Sequence, residues 1–344
     1  MGMMQKETGE SGLPANAPGS SGGSAALVPA TEQDIGHREI RVKGKSVSVS
    51  SVQIDGRTVV VSGKWLRTAV VQDEELVEGE SVPDPESFIA RLKRSGLNAD
   101  IFTFGQKLPD AVPHYSYRLE WDSLAVIPIT TYSEWYQRFA KSDVRIAVKK
   151  AGKRGLVTRE AEFDDPFVQG IVSIYNETPI RQGKPFWHYG KDFTAVKQIS
   201  STYLERSIFV GAYFNNELVG FIKMVRVGSL ALTLHVISMM KHFDKKATNA
   251  LIAKAVEICA DKGMSHLVYG NFLYGDGKNS LTEFKERNGF QEVLIPRYYL
   301  PMTRKGEMAL AMGLHHGAGS MLPRSVRRAM LNARTLVWKL RRKI

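Results

Sequence analysis

The spacing of apolar residues along the first part of the chain is mostly that of β-strands. Apolar residues recur over 47–54 and 58–61, on either side of Asp55-Gly56. This pattern predicts two strands joined by a tight turn. Further on, a helix is predicted over 85–96, a strand over 100–104 and extended chain over 115–129.

Past residue 130 the spacing predicts a regular alternation of helices and strands. The Asn215-Asn216 pair lies between two apolar runs, 208–213 and 218–227, and indicates a hairpin. The other predicted elements are helices over 132–150, 165–177, 192–204, 246–262 and 281–288, and strands over 230–240, 266–269 and 290–300. We therefore expect an α/β (α+β) fold in which a mixed sheet is flanked by helices.

The two ends of the chain differ from its body. Residues 1–36 are rich in Gly, Ser, Pro and Ala, which predicts a disordered leader. Residues 322–344 carry eight basic residues, no acidic one and an apolar stripe at helical spacing, which predicts a basic amphipathic helix. Such a helix either lies on an anionic membrane surface, contacts nucleic acid, or packs its apolar stripe on the core.

Composition removes several classes of protein. The chain has 344 residues, a net charge of +12 and a single cysteine, Cys259. One cysteine forms no internal disulfide and no multi-cysteine zinc site, so we expect a reducing compartment and no metal. No apolar run is long enough to span a bilayer and we find no secretory signal, so we predict a cytoplasmic protein, peripheral on the inner face of the membrane.

Two blocks of sequence resemble one family of transferases. The first is the basic run 145–157, Arg-Ile-Ala-Val-Lys-Lys-Ala-Gly-Lys-Arg-Gly-Leu-Val. The second comprises Tyr269-Gly270, then 281–285 (Leu-Thr-Glu-Phe-Lys), then 288–290 (Asn-Gly-Phe). With the order of predicted elements, they resemble the GNAT-type N-acyltransferase superfamily, in its Fem-type (peptidoglycan aminoacyltransferase-like) branch.

The resemblance implies a division of the chain and a choice of donor. It implies a GNAT/Fem-like acyltransferase domain over 130–316, preceded by a degenerate GNAT-like half over 37–129, so that two GNAT-like halves stand in tandem. The implied donor is an acyl-CoA or, as in the Fem branch, an aminoacyl-tRNA. The implied acceptor is an amine on a cell-envelope or polysaccharide precursor, such as an amino-sugar or a peptide.

The segment 244–249 departs from the pattern of acetyl-CoA-dependent members of this fold. Those members have a glycine-rich turn whose backbone amides bind pyrophosphate at the start of the central helix. Here both glycines are absent, and Asp244 is expected to cap the helix and to repel a phosphate. The segment either forms a plain capped helix or binds the donor through the following candidates: Lys245, Lys246, Thr248 and Asn249.

Polar residues on otherwise apolar strands are the candidates for catalysis. His235 lies within the predicted strand 230–240, where a histidine acts either as a base or as a hydrogen-bonded structural residue. Tyr269 and Asn271 lie at the carboxyl end of the next strand, the edge at which open α/β sheets bind ligands. Amide formation on this fold needs no nucleophile, so we assign no catalytic role to Cys259.

The loop 175–191 combines aromatic and basic residues between two helices. Its candidates are His188 for catalysis and Glu177, Arg181 and Tyr189 for binding a sugar or a phosphorylated acceptor. A surface loop without a ligand has the same composition. Lys150, on the basic run, and Lys285, in the second resembling block, are further candidates for substrate binding, although a solvated helix face also explains Lys150.

Three hypotheses follow for the function. The first is an N-acyltransferase that transfers an acyl or aminoacyl group to an amine on a cell-envelope or polysaccharide precursor. The second is a catalytically inactive GNAT-like binding scaffold at the membrane surface, which the missing glycines favour. The third is RNA binding through the two basic segments; otherwise nucleic acid is a partner only if tRNA is the donor.

Overall fold

A computed structural model describes residues 35–42, 45–181, 183–274 and 278–317. The predicted basic helix 322–344 lies outside the described residues, as does all but the last two residues of the predicted leader. Within the described ranges, no helix is long and apolar enough to cross a membrane.

The strands and helices alternate much as the apolar pattern predicts. The strands are β1 (Gly36–Val42), β2 (Lys45–Ile54), β3 (Arg57–Ser62), β4 (Thr68–Val71), β5 (Ile101–Gly105), β6 (Arg118–Pro128), β7 (Val157–Ala161), β8 (Ile180–Arg181), β9 (Lys184–Pro185), β10 (Ser207–Phe214), β11 (Glu217–Val227), β12 (Leu230–Ser238), β13 (His266–Asn271) and β14 (Gln291–Pro301). The helices are α1 (Pro85–Arg94), α2 (Tyr132–Glu134), α3 (Ser142–Lys153), α4 (Asp165–Asn176), α5 (Phe193–Ser200), α6 (Ala247–Asp261), α7 (Ser280–Arg287) and α8 (Arg304–Ala311).

Twelve of the strands form one sheet, in the order β1-β2-β3-β4-β5-β14-β6-β13-β12-β11-β10-β7. The β4–β5 and β12–β13 pairs are parallel, and the other pairs in this sheet are antiparallel. The predicted fold class, a mixed sheet flanked by helices, is therefore confirmed. Because β6 lies between β13 and β14, the N-terminal part of the chain completes the sheet of the C-terminal part.

The same succession of elements occurs twice along the chain. In the first, β2, β3 and β4 form an antiparallel meander, α1 follows, and β5 pairs parallel with β4. In the second, β10, β11 and β12 form the meander, α6 follows, and β13 pairs parallel with β12. Each succession surrounds its own apolar core, one with Phe88 and Phe102 and the other with Phe221 and Leu251 at its centre. The boundary near residue 129 stays a prediction.

Local turn chemistry explains why the two hairpins form where they do. Asp55 and Gly56 both have positive φ (50° and 71°), as do Asn215 and Asn216 (50° and 63°). Asp, Asn and Gly are the residues that best tolerate this conformation, whose twist matches that of the flanking strands. Both predicted hairpins are therefore confirmed.

The helix predicted over 132–150 is interrupted. After α2 the chain forms a π-helical turn, Trp135–Phe139, becomes extended at Ala140 and begins again as α3. A residue remote in the sequence stabilises the interruption, because Trp135 Nε1 donates to the carbonyl oxygen of Asn288 at 2.9 Å. Arg145 Nη1 also donates to the carbonyl oxygen of Ala140 at 2.9 Å. Apolar periodicity carries no information about either contact.

Candidate active site

An opening separates β12 from β13 at their carboxyl ends. The two parallel strands pair only at Leu230–His266, Ala231–Leu267 and Leu232–Val268. Beyond these pairs β12 continues to Ser238 and β13 to Asn271 without pairing to each other. Backbone groups on one side of β12 are thus released from the ladder at the edge where open sheets bind ligands.

A β-bulge lies in β12 at this opening. Lys223 of β11 pairs with His235 and Met224 pairs with Thr233, so Leu234 is the extra residue. A bulge changes the side to which the following side chains point and is common beside active sites. Here it directs His235 to the face of the sheet that carries α4 and the loop 177–191.

Two of the predicted catalytic residues meet on this face. The rings of His188 and His235 have centroids 5.6 Å apart, and His188 also packs against Tyr175 at 4.2 Å. Both histidines are buried. Burial, with the nearby charges of Lys223 and Lys191, lowers the pKa of His235 to about 3. The His235 imidazole is therefore neutral at physiological pH.

Glu177 fastens the loop to the end of β12. Its two carboxylate oxygens accept hydrogen bonds from the backbone N–H groups of Met240 and Lys241, each at 2.7 Å. Arg181 Nη2 donates to the same carboxylate at 3.1 Å and its guanidinium lies over the Phe186 ring. Glu177 and Arg181 thus direct their charges at protein atoms, and their contact with a substrate stays a prediction. Tyr189 is exposed in the same loop, and its contact with a substrate also stays a prediction.

Lys285 lies beneath the end of β13 and is fully buried. Its Nζ donates to the carbonyl oxygens of Tyr269 at 2.7 Å and Asn271 at 2.6 Å, and to the Tyr274 hydroxyl at 3.3 Å. Burial lowers the pKa of Lys285 to about 7. Lys285 thus holds the strand end that borders the opening. Its ammonium group, with a pKa of about 7, releases a proton near neutral pH.

The end of β13 is itself irregular. The register of its pairing with β6 shifts between Val268 and Asn271, and Gly270 has a φ of 55°. Tyr269 is buried, which raises its pKa, whereas Asn271 is exposed. The structure therefore brings Tyr269, Asn271 and Lys285 together on the β13 side of the opening, and His188 and His235 on the β12 side.

The N-terminus of α6 differs from the sequence-based expectation. Asp244 does not cap the helix; its carboxylate pairs with Arg154 Nη1 at 3.2 Å and Lys245 Nζ at 3.6 Å. Lys246 occupies the N-cap position with a φ of 57°, and its side chain has no hydrogen-bond acceptor with which to cap the helix. The prediction of an Asp244 cap was wrong because a long-range ion pair withdraws this carboxylate from the helix. The start of α6 is consequently basic and free of a capping carboxylate.

The four predicted donor-binding residues all lie at this helix terminus. Lys245 Nζ and Lys246 Nζ lie 4.2 Å and 4.6 Å from the centroids of the Phe214 and Phe243 rings. The Thr248 hydroxyl hydrogen-bonds that of Ser238, at the end of β12, at 2.9 Å. Asn249 Nδ2 donates to Asn288 Oδ1 at 3.2 Å. The helix start and the end of β12 therefore form one continuous surface.

The basic run on α3 is only partly a free surface. Arg145 donates to backbone carbonyls and Arg154 pairs with Asp244, so both serve the fold. Lys149, Lys150 and Lys153 are exposed. Lys150 lies on a helix that packs against α6, and its contact with a substrate stays a prediction.

An ionic cluster around Arg297 was not predicted from the sequence. Arg297 of β14 pairs with Glu74 and, at 2.6 Å, with Asp122 of β6. Arg297 is partly buried, and the two carboxylates raise its pKa. The available signal was a charged residue within the otherwise apolar run 293–300.

A groove at the far edge of the sheet has none of the predicted site residues. It measures about 1050 Å³ and lies along β7, α4 and the β10–β11 turn. Its charged lining is Arg159, Glu160, Glu162 and Asp164. We place the candidate site at the β12–β13 opening because the candidate chemical groups converge there.

Comparison with known proteins shows the fold. The sequence matches no protein-family model and no curated protein. Among solved structures, FemX is 11% identical with a TM-score of 0.53, covering 81% of this chain and 90% of that one. The C-terminal domain of a putative lysylphosphatidylglycerol synthetase from Agrobacterium fabrum is 12% identical with a TM-score of 0.50. That match covers 76% of this chain and 87% of that one. L-PGS from Bacillus licheniformis is 12% identical with a TM-score of 0.50, and the match covers 74% of this chain and 84% of that one.

These matches confirm the fold that the resemblance implies. The chain has a GNAT-like fold of the Fem type, in which a large mixed sheet is flanked by helices.

Proposed function

We propose that this protein transfers an aminoacyl or acyl group to an amine on a cell-envelope precursor, at the opening between β12 and β13. The observation that carries the proposal is the divergence of these strands after three residue pairs, beside a helix start without a capping carboxylate. A donor carbonyl in the opening would meet backbone N–H groups of β12 that have left the ladder.

The reaction needs no covalent enzyme intermediate. The amine nitrogen attacks the donor carbonyl carbon, a C–N bond forms, and the C–O or C–S bond to the leaving group breaks. The proton lost by the amine balances the one taken up by the departing hydroxyl or thiol. The protein's share is to hold both partners, polarise the carbonyl and accept a proton.

The charge around α6 fits a phosphate-bearing donor. Lys245 and Lys246 and the positive end of the helix dipole all lie where Asp244 was expected to repel phosphate. Both an acyl-CoA and the 3′ end of an aminoacyl-tRNA carry phosphates. The names of the FemX and lysylphosphatidylglycerol synthetase structures favour an aminoacyl donor, since the second describes an aminoacylated lipid.

We assign the site residues distinct roles. Lys285 is a positioning residue that holds the end of β13, and its pKa of about 7 keeps a proton exchangeable there. Tyr269 and Asn271 would border the acyl group, and the buried rings of His188 and His235 would form the opposite wall. Tyr189, with Lys150 further away, would contact the acceptor.

The proposal extends to the cellular setting. The segment 322–344, with its eight basic residues, would hold the protein on the inner face of an anionic membrane, near lipid-linked precursors. We keep the divisions at 37–129 and 130–316 as proposed domain boundaries.

Donor binding tests the proposal by thermal unfolding. A ligand that binds only the folded protein raises its melting temperature. We expect a rise with a non-hydrolysable aminoacyl-tRNA analogue or an acyl-CoA, and a smaller rise in Lys245→Gln and Lys246→Gln. Lys262→Gln, at the opposite end of α6, is the matched control and should respond as the unaltered protein does. No rise with any of these donors would refute the proposal.

A further inference from the structure

Two adjacent histidines meet a carboxylate on the face of the sheet opposite α1. His315 and His316 belong to a short 3-10 turn, Leu314–His316, that follows α8. Glu120 lies on β6, 195 residues earlier in the chain. None of the three residues takes part in the proposed transfer.

The two imidazoles converge on one carboxylate group. His315 Nε2 lies 2.7 Å from one oxygen of Glu120, and His316 Nε2 lies 2.9 Å from the other. Neighbouring side chains in a helical turn do not usually face each other. Here their ring centroids are 4.0 Å apart, in a turn bounded by Gly313 and Gly317, both with positive φ.

The burial of His315 fixes one side of this cluster in place. The side chain of His315 is only 3% exposed and its ring packs against that of Tyr299 at 4.8 Å. Glu120 is partly buried, whereas the side chain of His316 is half exposed. The cluster therefore has a rigid inner side and an outer side open to water.

The spacing of the ligand atoms suits a tetrahedral ion. Two imidazole nitrogens and a carboxylate oxygen lie within 4.8 Å of one another. Zinc bonds to such atoms at about 2.0–2.2 Å, which holds tetrahedral ligands roughly 3.3 Å apart. The Nε2–Oε distances of 2.7 Å and 2.9 Å are hydrogen-bond distances, about 0.5 Å below that value, so small side-chain movements would admit the ion. Two imidazole nitrogens favour Zn²⁺ over Mg²⁺ or Ca²⁺, which prefer oxygen ligands.

We propose that Glu120, His315 and His316 bind one Zn²⁺ ion, with a water molecule at the fourth position. The ion would join the turn after α8 to β6. The absence of further cysteines argued against a cysteine-based zinc site, and this site needs none. Glu120 lies four residues along β6 from Leu124, the partner of Asn271, about 13 Å from the β12–β13 opening. The ion is therefore expected to act on stability and to leave acyl transfer unaffected.

Zinc titration of the untagged, chelator-treated protein tests the proposal. We expect one equivalent to bind by calorimetry and to raise the melting temperature. Binding should weaken as the pH is lowered, because protons compete with the ion for the imidazoles. Co²⁺ in place of zinc should give the strong visible absorption of a tetrahedral site, a signature that an unaltered ion pair does not produce.

Matched variants separate this site from adventitious binding. Glu120→Gln and His316→Ala should each weaken zinc binding about tenfold or more, and the exposure of His316 makes its removal safe for folding. His114→Gln is the control, because His114 also lies against carboxylates, those of Asp110 and Glu80, but has no second imidazole. Its affinity should be unchanged. No stoichiometric binding, or equal binding in all variants, would overturn the proposal.

Discussion

The Nζ of Lys285 donates a hydrogen bond of 2.7 Å to the backbone carbonyl of Tyr269, across the gap between α7 and the last residues of β13. The same nitrogen lies 4.5 Å from the centroid of the Tyr269 ring. A buried lysine thus fixes both the backbone and the ring at the strand end that borders the candidate site. Because this lysine is buried, the stability of the protein should depend on pH.

Lys285 should make the protein more stable as the pH rises from about 7 to about 10.5. Burial lowers its pKa in the folded protein to about 7, from an ordinary value of 10.5. Within this window the unfolded chain keeps a proton that the folded chain has released, so the free energy of unfolding increases with pH. Lys285→Met should lack this increase when denaturant unfolding of the two proteins is compared. Parallel pH profiles would show that the lysine does not titrate as described.

His235 should make the protein less stable as the pH falls below about 6.5. Its folded pKa of about 3 lies below the ordinary value of 6.5, so the unfolded chain binds a proton that the folded chain does not. Stability contributed by the neutral ring is present above pH 6.5 and falls towards pH 3, by up to about 1.4 kcal/mol per pH unit. His235→Leu should flatten this fall in denaturant unfolding. An equally steep fall in the variant would contradict a buried, neutral imidazole.

Glu177 should matter for the attachment of the loop. Glu177→Ala removes the acceptor of two backbone N–H groups and leaves Arg181 without its carboxylate, which should lower the free energy of unfolding by about 2–4 kcal/mol. Hydrogen exchange at the amides of Met240 and Lys241 should accelerate. Glu205→Ala is the control, since its exposed pair with Arg206 should contribute less than about 1 kcal/mol. Equal losses in the two variants would refute the role given to Glu177.

Local sequence determines more of the fold than of the site. The hairpins around Asp55-Gly56 and Asn215-Asn216 follow from the conformations those residues accept. The end of α6 follows from Gly263, whose φ of 64° suits a residue after a helix. Such features depend on neighbours in the chain and are predictable from it.

Features that depend on distant residues were not predictable in the same way. Asp244 has the chemistry of a helix cap, but Arg154 binds it from 90 residues away. The interruption after Phe139 depends on a hydrogen bond from Trp135 to Asn288. The ionic cluster around Arg297 joins three remote segments.

The candidate site combines both kinds of information. His188 and His235 were each singled out for their residue type, and only the fold shows that their rings lie 5.6 Å apart. Lys285 came from a resemblance to a family, and only the fold shows that it is buried beneath β13. Residue type therefore identifies candidate site residues, and the tertiary structure determines which of them lie close together.

Transfer of a labelled group from a donor to an amine tests the proposed function. We expect the protein to move the label from an aminoacyl-tRNA or an acyl-CoA to an amino-sugar or peptide precursor. Lys285→Met, which releases the end of β13, should lower the rate about 100-fold. Lys278→Met, on an exposed lysine just before α7, should leave the rate unchanged. Donor binding without any transfer, or equal transfer by both variants, would refute the proposed reaction at this site.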